Sequence, residues 1–142
     1  MITLAAAQIV VEKGLAQARE LDCPPMTFAV LDAGGHLVAF AREDGSSLLR
    51  ERIARGKAAS ALNMGVGTRA LAKRAEDHPA FINSLVGLSA GEMVPVPGGV
   101  LVRDEGGSIV GAVGVSGNLP DIDEKCAVSG IEAAGLTADT GS

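Results

Sequence analysis

Apolar positions recur along the chain at two periods, and the switches between them mark out the elements. Leu4, Ala7, Val11, Leu15, Ala18 and Leu21 follow at three- and four-residue steps, the spacing of one helix face, while Glu12, Lys13, Gln17, Arg19 and Glu20 take the other side. Thr3 stands where an N-cap belongs, and Pro24-Pro25 ends the helix. Alternation takes over at residues 26–33 and 36–42, which read as a hairpin. In its second strand His36, Val38 and Phe40 point one way and Leu37, Ala39 and Ala41 the other. Both sets are largely apolar, so both faces of the sheet are expected to be covered. Asp44-Gly45-Ser46 reads as a turn. Residues 47–64 return to helical spacing, with Leu49, Ile53, Gly56, Ser60 and Met64 on one side and Arg50 and Lys57 near its edge; Gly65-Val66-Gly67 breaks the run.

Two short helices follow, one opened by Thr68 and running to about Ala75, the other from His78-Pro79 through Val86. Residues 87–99 read as an irregular loop. A second hairpin covers 100–105 and 108–116, where Val113 and Val115 alternate with Ala112 and Gly114; the small set predicts a face hugged by a helix. Asp121, with Glu124 three residues on, reads as the cap of a last helix running to about Ala134 and stopped by Gly135. The hairpins share one motif. Val30-Leu31-Asp32-Ala33-Gly34-Gly35-His36-Leu37-Val38 matches Val102-Arg103-Asp104-Glu105-Gly106-Gly107-Ser108-Ile109-Val110, with the two aspartates 72 positions apart in 142 residues. Each D-x-G-G suits a tight turn because glycine accepts positive φ. The expected fold is α/β (α+β): a single domain over residues 1–136, one mixed sheet built from two hairpins and flanked by helices, with a loose tail at 137–142.

Composition narrows the function. At 47% hydrophobic residues the chain can bury a core without staples, and no apolar run is long enough to span a membrane. The first residues lack a basic start with a small-residue cleavage site, so a cytoplasmic location is expected. Cys23 and Cys126 read as free thiols, and no metal-ligand spacing is present. A net charge of −5 repels nucleic-acid phosphate, and three phenylalanines are the only aromatics, too few for a base-stacking platform.

Several motifs fail on context. Gly87-Leu88-Ser89-Ala90-Gly91 has the spelling of a nucleophile elbow, but the segment before it is helical and no histidine follows. Gly65-Val66-Gly67-Thr68-Arg69-Ala70 spells a dinucleotide fingerprint but follows a helix, not a strand. His36, just after a hairpin tip, reads first as solvated, and His78 precedes a proline near a helix start; a metal or haem ligand is the weaker reading of each. Lys57 has stronger claims: it lies among small residues, where it is either a helix-edge lysine that snorkels or an ammonium a carboxylate can reach. Pro97-Gly98-Gly99 and Val115-Ser116-Gly117-Asn118 are either ordinary turns or nests of bare amides for an anion. Asp123-Glu124 could supply a general base or bind iron, while Glu124 is also what a capping box wants, which is the favoured reading.

Residues 30–45, Gly56–Ala61, Pro95–Val100 and the stretch from Gly111 to Ala127 resemble, in order and spacing, the GlcG/HbpS family of small haem-binding-protein-like domains, also found as the C-terminal domain of PduO-type proteins. The likeness runs from the first helix to about Leu136. It implies an antiparallel sheet of about five strands, flanked by helices, in a domain that assembles into dimers or higher homo-oligomers. Some relatives bind haem or iron, some are secreted sensors, and others sit among catabolic genes. A first-helix histidine serves haem in some members; residues 1–22 here hold none. Two functions are therefore expected. The first is binding of haem or another small anionic organic molecule near a subunit interface, by Arg42, Asp44, Lys57, Gly98, Gly99, Ser116, Gly117 and Asp123. The second is cofactor-free chemistry on a small organic acid, with Lys57 and Glu124 as catalytic residues.

Overall fold

Both D-x-G-G tips close as tight hairpins in the computed structural model, which describes all 142 residues. Asp32 Oδ1 accepts from the Gly34 and His36 amides at 2.9 and 3.0 Å, and Asp104 Oδ1 accepts from the Ser108 amide at 2.9 Å. Gly35 and Gly107 both take φ of +85°, the left-handed conformation the motif requires. The first hairpin is β1 (Thr27–Asp32) with β2 (Leu37–Arg42); the second is β3 (Gly99–Arg103) with β4 (Ile109–Ser116).

The hairpins join through β1 and β4, and a short β5 (Thr137–Asp139) extends the far side, giving the order β2-β1-β4-β3-β5. Every pairing is antiparallel, so the sheet is not mixed. The long excursion from β2 to β3 returns on a strand paired with β4, not with β2, and creates no parallel neighbour. Nor are residues 137–142 loose: Thr137, Ala138 and Asp139 pair with Arg103, Val102 and Leu101.

Two layers of helix cover the sheet. On one face Phe28, Val30, Val100, Val102, Val113 and Val115 meet Val10 and Ala18 of α1 (Leu4–Glu20) and Cys126 and Ile131 of α5 (Pro120–Ala133). On the other, Leu31, Leu101 and Ala112 meet Ala58 and Ala61 of α2 (Arg50–Met64). Gly114 lets α2 lie directly on the sheet, since a Cβ there would overlap the Ala54 carbonyl. α2 ends at Gly65 in the left-handed conformation, φ +69°. α3 (Thr68–Asp77) and α4 (Pro79–Leu88) follow; α4 packs on α3 and buries only Ile82. No helix is long and apolar enough to cross a membrane.

Two expected caps differ. Thr68 is the first residue of α3, and its hydroxyl turns to β3. α5 starts from Leu119 with no side-chain cap. The carboxylates of Asp121 and Glu124 both receive Arg69 instead, which offers a charged donor where a cap would offer only an amide.

Candidate functional site

Strand register assembles a polar row at one end of the sheet. Thr27 of β1 lies opposite Arg42 of β2 on one side and Ser116 of β4 on the other. By alternation all three share the face with Leu31 and Ala112, the face α2 covers. α2 begins here: its first residue, Arg50, donates from Nη1 to Ser116 Oγ at 3.1 Å. Arg42 turns its guanidinium to the Ser46 carbonyl. Thr27 Oγ1 is the one buried side-chain polar atom without a hydrogen bond.

Two turns along α2 from Arg50, Lys57 is buried with only 3% of its side chain exposed. Its ammonium donates to Val115 O at 2.9 Å and to Asp123 Oδ2 at 3.0 Å. Asp123 Oδ1 accepts from the Asn118 amide at 2.8 Å. Burial pushes the lysine below its ordinary range; Asp123 opposes this and nearby Arg50 adds to it. Burial likewise pushes the Asp123 carboxyl up, opposed by Lys57 and by the Asn118 amide. Both groups are thus biased towards the neutral form by loss of water and returned towards the ion pair by each other.

The glycine turns contribute room rather than amides. Gly98 has φ +118°, and a Cβ on it would stand 2.7 Å from Lys57 Nζ. The Gly99 amide is taken by Thr68 Oγ1 at 2.8 Å. Gly117 sits against Pro25 and Met26. Asp44 is exposed and shares an open groove with Arg19, Arg42 and Glu43. Of the residues expected from sequence, Lys57, Asp123, Gly98 and Ser116 gather around one corner, with Arg42 at its rim. Glu124 does not join them: Arg69 holds both its oxygens, at 3.0 to 3.2 Å, and ties α3 to α5. Sequence reasoning missed Thr27 and gave Arg50 no role. A hydroxyl within the first strand and an arginine seven residues before Lys57 were the signals available.

The sequence matches the profile described as "Haem degrading protein HbpS-like" over residues 2–132. The chain belongs to the HbpS-like family. It is 28% identical over 131 residues, 92% of this chain and 90% of the relative, to a 15.0 kDa protein of Citrobacter freundii from the dhaT-dhaS intergenic region. Among solved structures it is similar to Klebsiella pneumoniae ORFY, with 27% identity, a TM-score of 0.86 and coverage of 94% of this chain and 90% of the other. The haem complex of PduOC superposes with a TM-score of 0.85 over 95% and 96% of the two chains; at 22% identity this likeness concerns the fold.

The family implies haem, whose iron takes an axial bond from imidazole, thiolate, thioether or phenolate. No residue of that donor set lines the apolar cleft of this chain. His36 rides the first hairpin tip, 77% exposed, with Nδ1 at 3.1 Å from Asp32, and His78 is exposed between α3 and α4. Cys23 and Cys126 are buried, and burial pushes the Cys126 thiol up to about 12. The apolar cleft between α1 and β2, formed by Leu4, Val11, Val38 and Phe40, presents only Gln8 and Glu12 as polar groups. The chain has no tyrosine. The residues lining the cleft do not fit an iron-ligated haem.

Proposed function

We propose that the protein binds a small organic anion at the corner where Arg42, Thr27 and Ser116 lie side by side. The observation that carries this reading is a surplus of hydrogen-bond donors. Arg50 commits one N–H to Ser116, Arg42 one to a main-chain carbonyl, and the Thr27 hydroxyl has no partner. Asp123, the buried carboxylate nearby, is already engaged by Lys57 and Asn118. A ligand carboxylate supplies the acceptor that the protein leaves out, and a guanidinium fork matches its geometry. The α2 N-terminus, which has no capping side chain, adds its dipole.

The haem complex of the PduO relative supports the chemical class, because haem carries two propionates. In this chain the anionic groups, rather than iron, are what the residues suit. Lys57 is balanced by Asp123, so the positive charge of the corner comes from Arg42 and Arg50. The reading is tested by thermal shift and calorimetry with acetate, succinate, phthalate and haem. The expected result is stabilisation by one or more carboxylates that is lost in Arg50→Ala. Absence of any shift, or an unchanged shift in Arg50→Ala, overturns it. A Soret spectrum of axially ligated haem would overturn the exclusion of iron.

A further inference from the structure

We propose that Cys23 and Cys126 are a redox pair that closes to a disulfide within the chain, locking the end of α1 to α5. The inference is independent of the anion site. The chain has two cysteines, far apart in sequence, and folding brings both into one apolar cluster. Both are free thiols, and Cys23 is the hydrogen-bonding neighbour of the Cys126 thiol.

Their surroundings give the two sulfurs different parts. Cys23 ends the turn that closes α1: its amide bonds Ala18 O at 3.0 Å, and the Asp22 amide bonds Arg19 O at 3.2 Å. Asp22 takes φ +54°, the left-handed position that glycine usually fills in such a turn. Leu21 and Asp22 are exposed, and Cys23 keeps 4% of its surface, whereas Cys126 keeps none. An oxidant therefore meets Cys23 first. The Asn118 side-chain amide donates to Cys23 Sγ at 3.3 Å and fixes where that sulfur sits. Cys126 stands behind it on α5, which lies backbone to backbone with α1: a Cβ on Gly14 would come 3.1 Å from Cys126 O, and one on Gly130 would come 2.3 Å from Val10 O. Burial pushes the Cys126 thiol up to about 12, which suits a resolving group and not an attacking one.

The chemistry balances with hydrogen peroxide as the two-electron oxidant. The Cys23 sulfur attacks one peroxide oxygen and the O–O bond breaks. The thiol proton goes to the departing oxygen, which leaves as water, and Cys23 is now a sulfenic acid. The Cys126 sulfur then attacks the Cys23 sulfur. The S–S bond forms as the S–OH and S–H bonds break, and hydroxyl and proton leave together as a second water. Two thiols are oxidised and one peroxide is reduced. Cys23 lies outside the helix, so its backbone can follow the sulfur to a bond of about 2.05 Å. Oxidation takes Cys23 Sγ away from Asn118. The main-chain amide of Asn118 donates to Asp123 Oδ1 at 2.8 Å, so this residue carries the change to the buried ion pair.

The test is mass spectrometry of the whole chain, reduced and then exposed to hydrogen peroxide, with remaining thiols alkylated after unfolding. The expected product has the mass of a single chain, no alkylated cysteine and a Cys23–Cys126 peptide link that dithiothreitol reverses. Because the link joins distant points of the chain, its melting temperature should exceed that of the reduced form by roughly 10 °C. Cys126→Ala should stop at a sulfenic acid on Cys23, trapped by dimedone, and Cys23→Ala should leave Cys126 a thiol. If either variant fails to fold, the link and the melt of the unaltered chain decide. Two alkylated cysteines after peroxide, a link formed only between chains, or a link that lowers the melting temperature overturns the proposal. A sulfenic acid on Cys126 in Cys23→Ala overturns the order of attack.

Discussion

Lys57 and Asp123 share a proton economy that neither could sustain alone. Each is held towards neutrality by burial and towards charge by the other. Replacing Lys57 by Met strips the carboxylate of its counter-charge and leaves it buried, a change that costs about 3–5 kcal/mol in comparable pairs. The sign with pH follows from linkage. Without Lys57 the folded-state pKa of Asp123 rises further above its unfolded value, so the folded state binds the proton more readily. The contribution of Asp123 to the variant's stability is then least unfavourable in acid and worsens as pH rises towards that raised pKa. Urea midpoints of Lys57→Met measured from acid to neutral pH should show a deficit that is largest at neutrality and shrinks as pH falls. A deficit independent of pH would mean that lost packing, not the unpaired charge, is the cause. Pairing the variant with Asp123→Leu should recover most of the loss at neutral pH. Sequence made Lys57 legible because tiny neighbours framed it. It paired Glu124 with Lys57 for catalysis, although capping spacing favoured a structural Glu124, and gave Asp123 to ligand binding. Which of two adjacent carboxylates faces inward depends on helix phase, and α5 begins at Leu119 instead of Asp121.

Glycines decide how closely the elements approach, and two of them separate a packing role from a propensity effect. Gly114 on β4 lies under α2, where a Cβ would overlap the Ala54 carbonyl and crowd the Ala58 amide. Both neighbours are backbone, so relief requires α2 to lift. Gly114→Ala is expected to cost about 1–3 kcal/mol. Gly87, in the last turn of α4, has nothing within 4 Å of its would-be Cβ. Gly87→Ala is expected to be neutral or to gain up to about 1 kcal/mol from helix propensity. Thermal melts of the two variants against the parent check both directions; equal effects would refute the distinction. The alternation of Val113 and Val115 with Ala112 and Gly114 announced this helix-on-sheet contact, and the D-x-G-G spelling announced both hairpins. Pairing between the hairpins was not spelled out. β1 meets β4 through a register that no local pattern encodes, and that register, added to the β1–β2 hairpin register, creates the Arg42–Thr27–Ser116 row.

At the scale of the molecule, the segment from Thr137 onward closes the sheet rather than trailing from it. Its composition of small and polar residues reads as a tail, because three residues are too few to establish a strand period. Long-range partners supply what the local sequence lacks. Thr137–Asp139 pairs along β3, Asp139 accepts from Arg103 Nε at 2.8 Å, and Leu136 and Ala138 pack against the main core. Further on, Thr140 fills the space that a Cβ on Gly67 would need, joining the end of the sheet to the start of α3. Removing residues 137–142 should therefore strip the outer row of hydrogen bonds from β3 and uncover Leu101 and Val102 at a new edge. Each net hydrogen bond contributes about 1 kcal/mol and a partly exposed ion pair less than that. A total loss of about 2 kcal/mol is expected from those ranges, read as a lower urea midpoint at nearly constant slope. Amide exchange in β3 should quicken in the same variant, while exchange in β1, at the centre of the sheet, follows only the global loss. A truncated chain with unchanged midpoint and unchanged exchange would mean that the segment rests on the sheet without stabilising it.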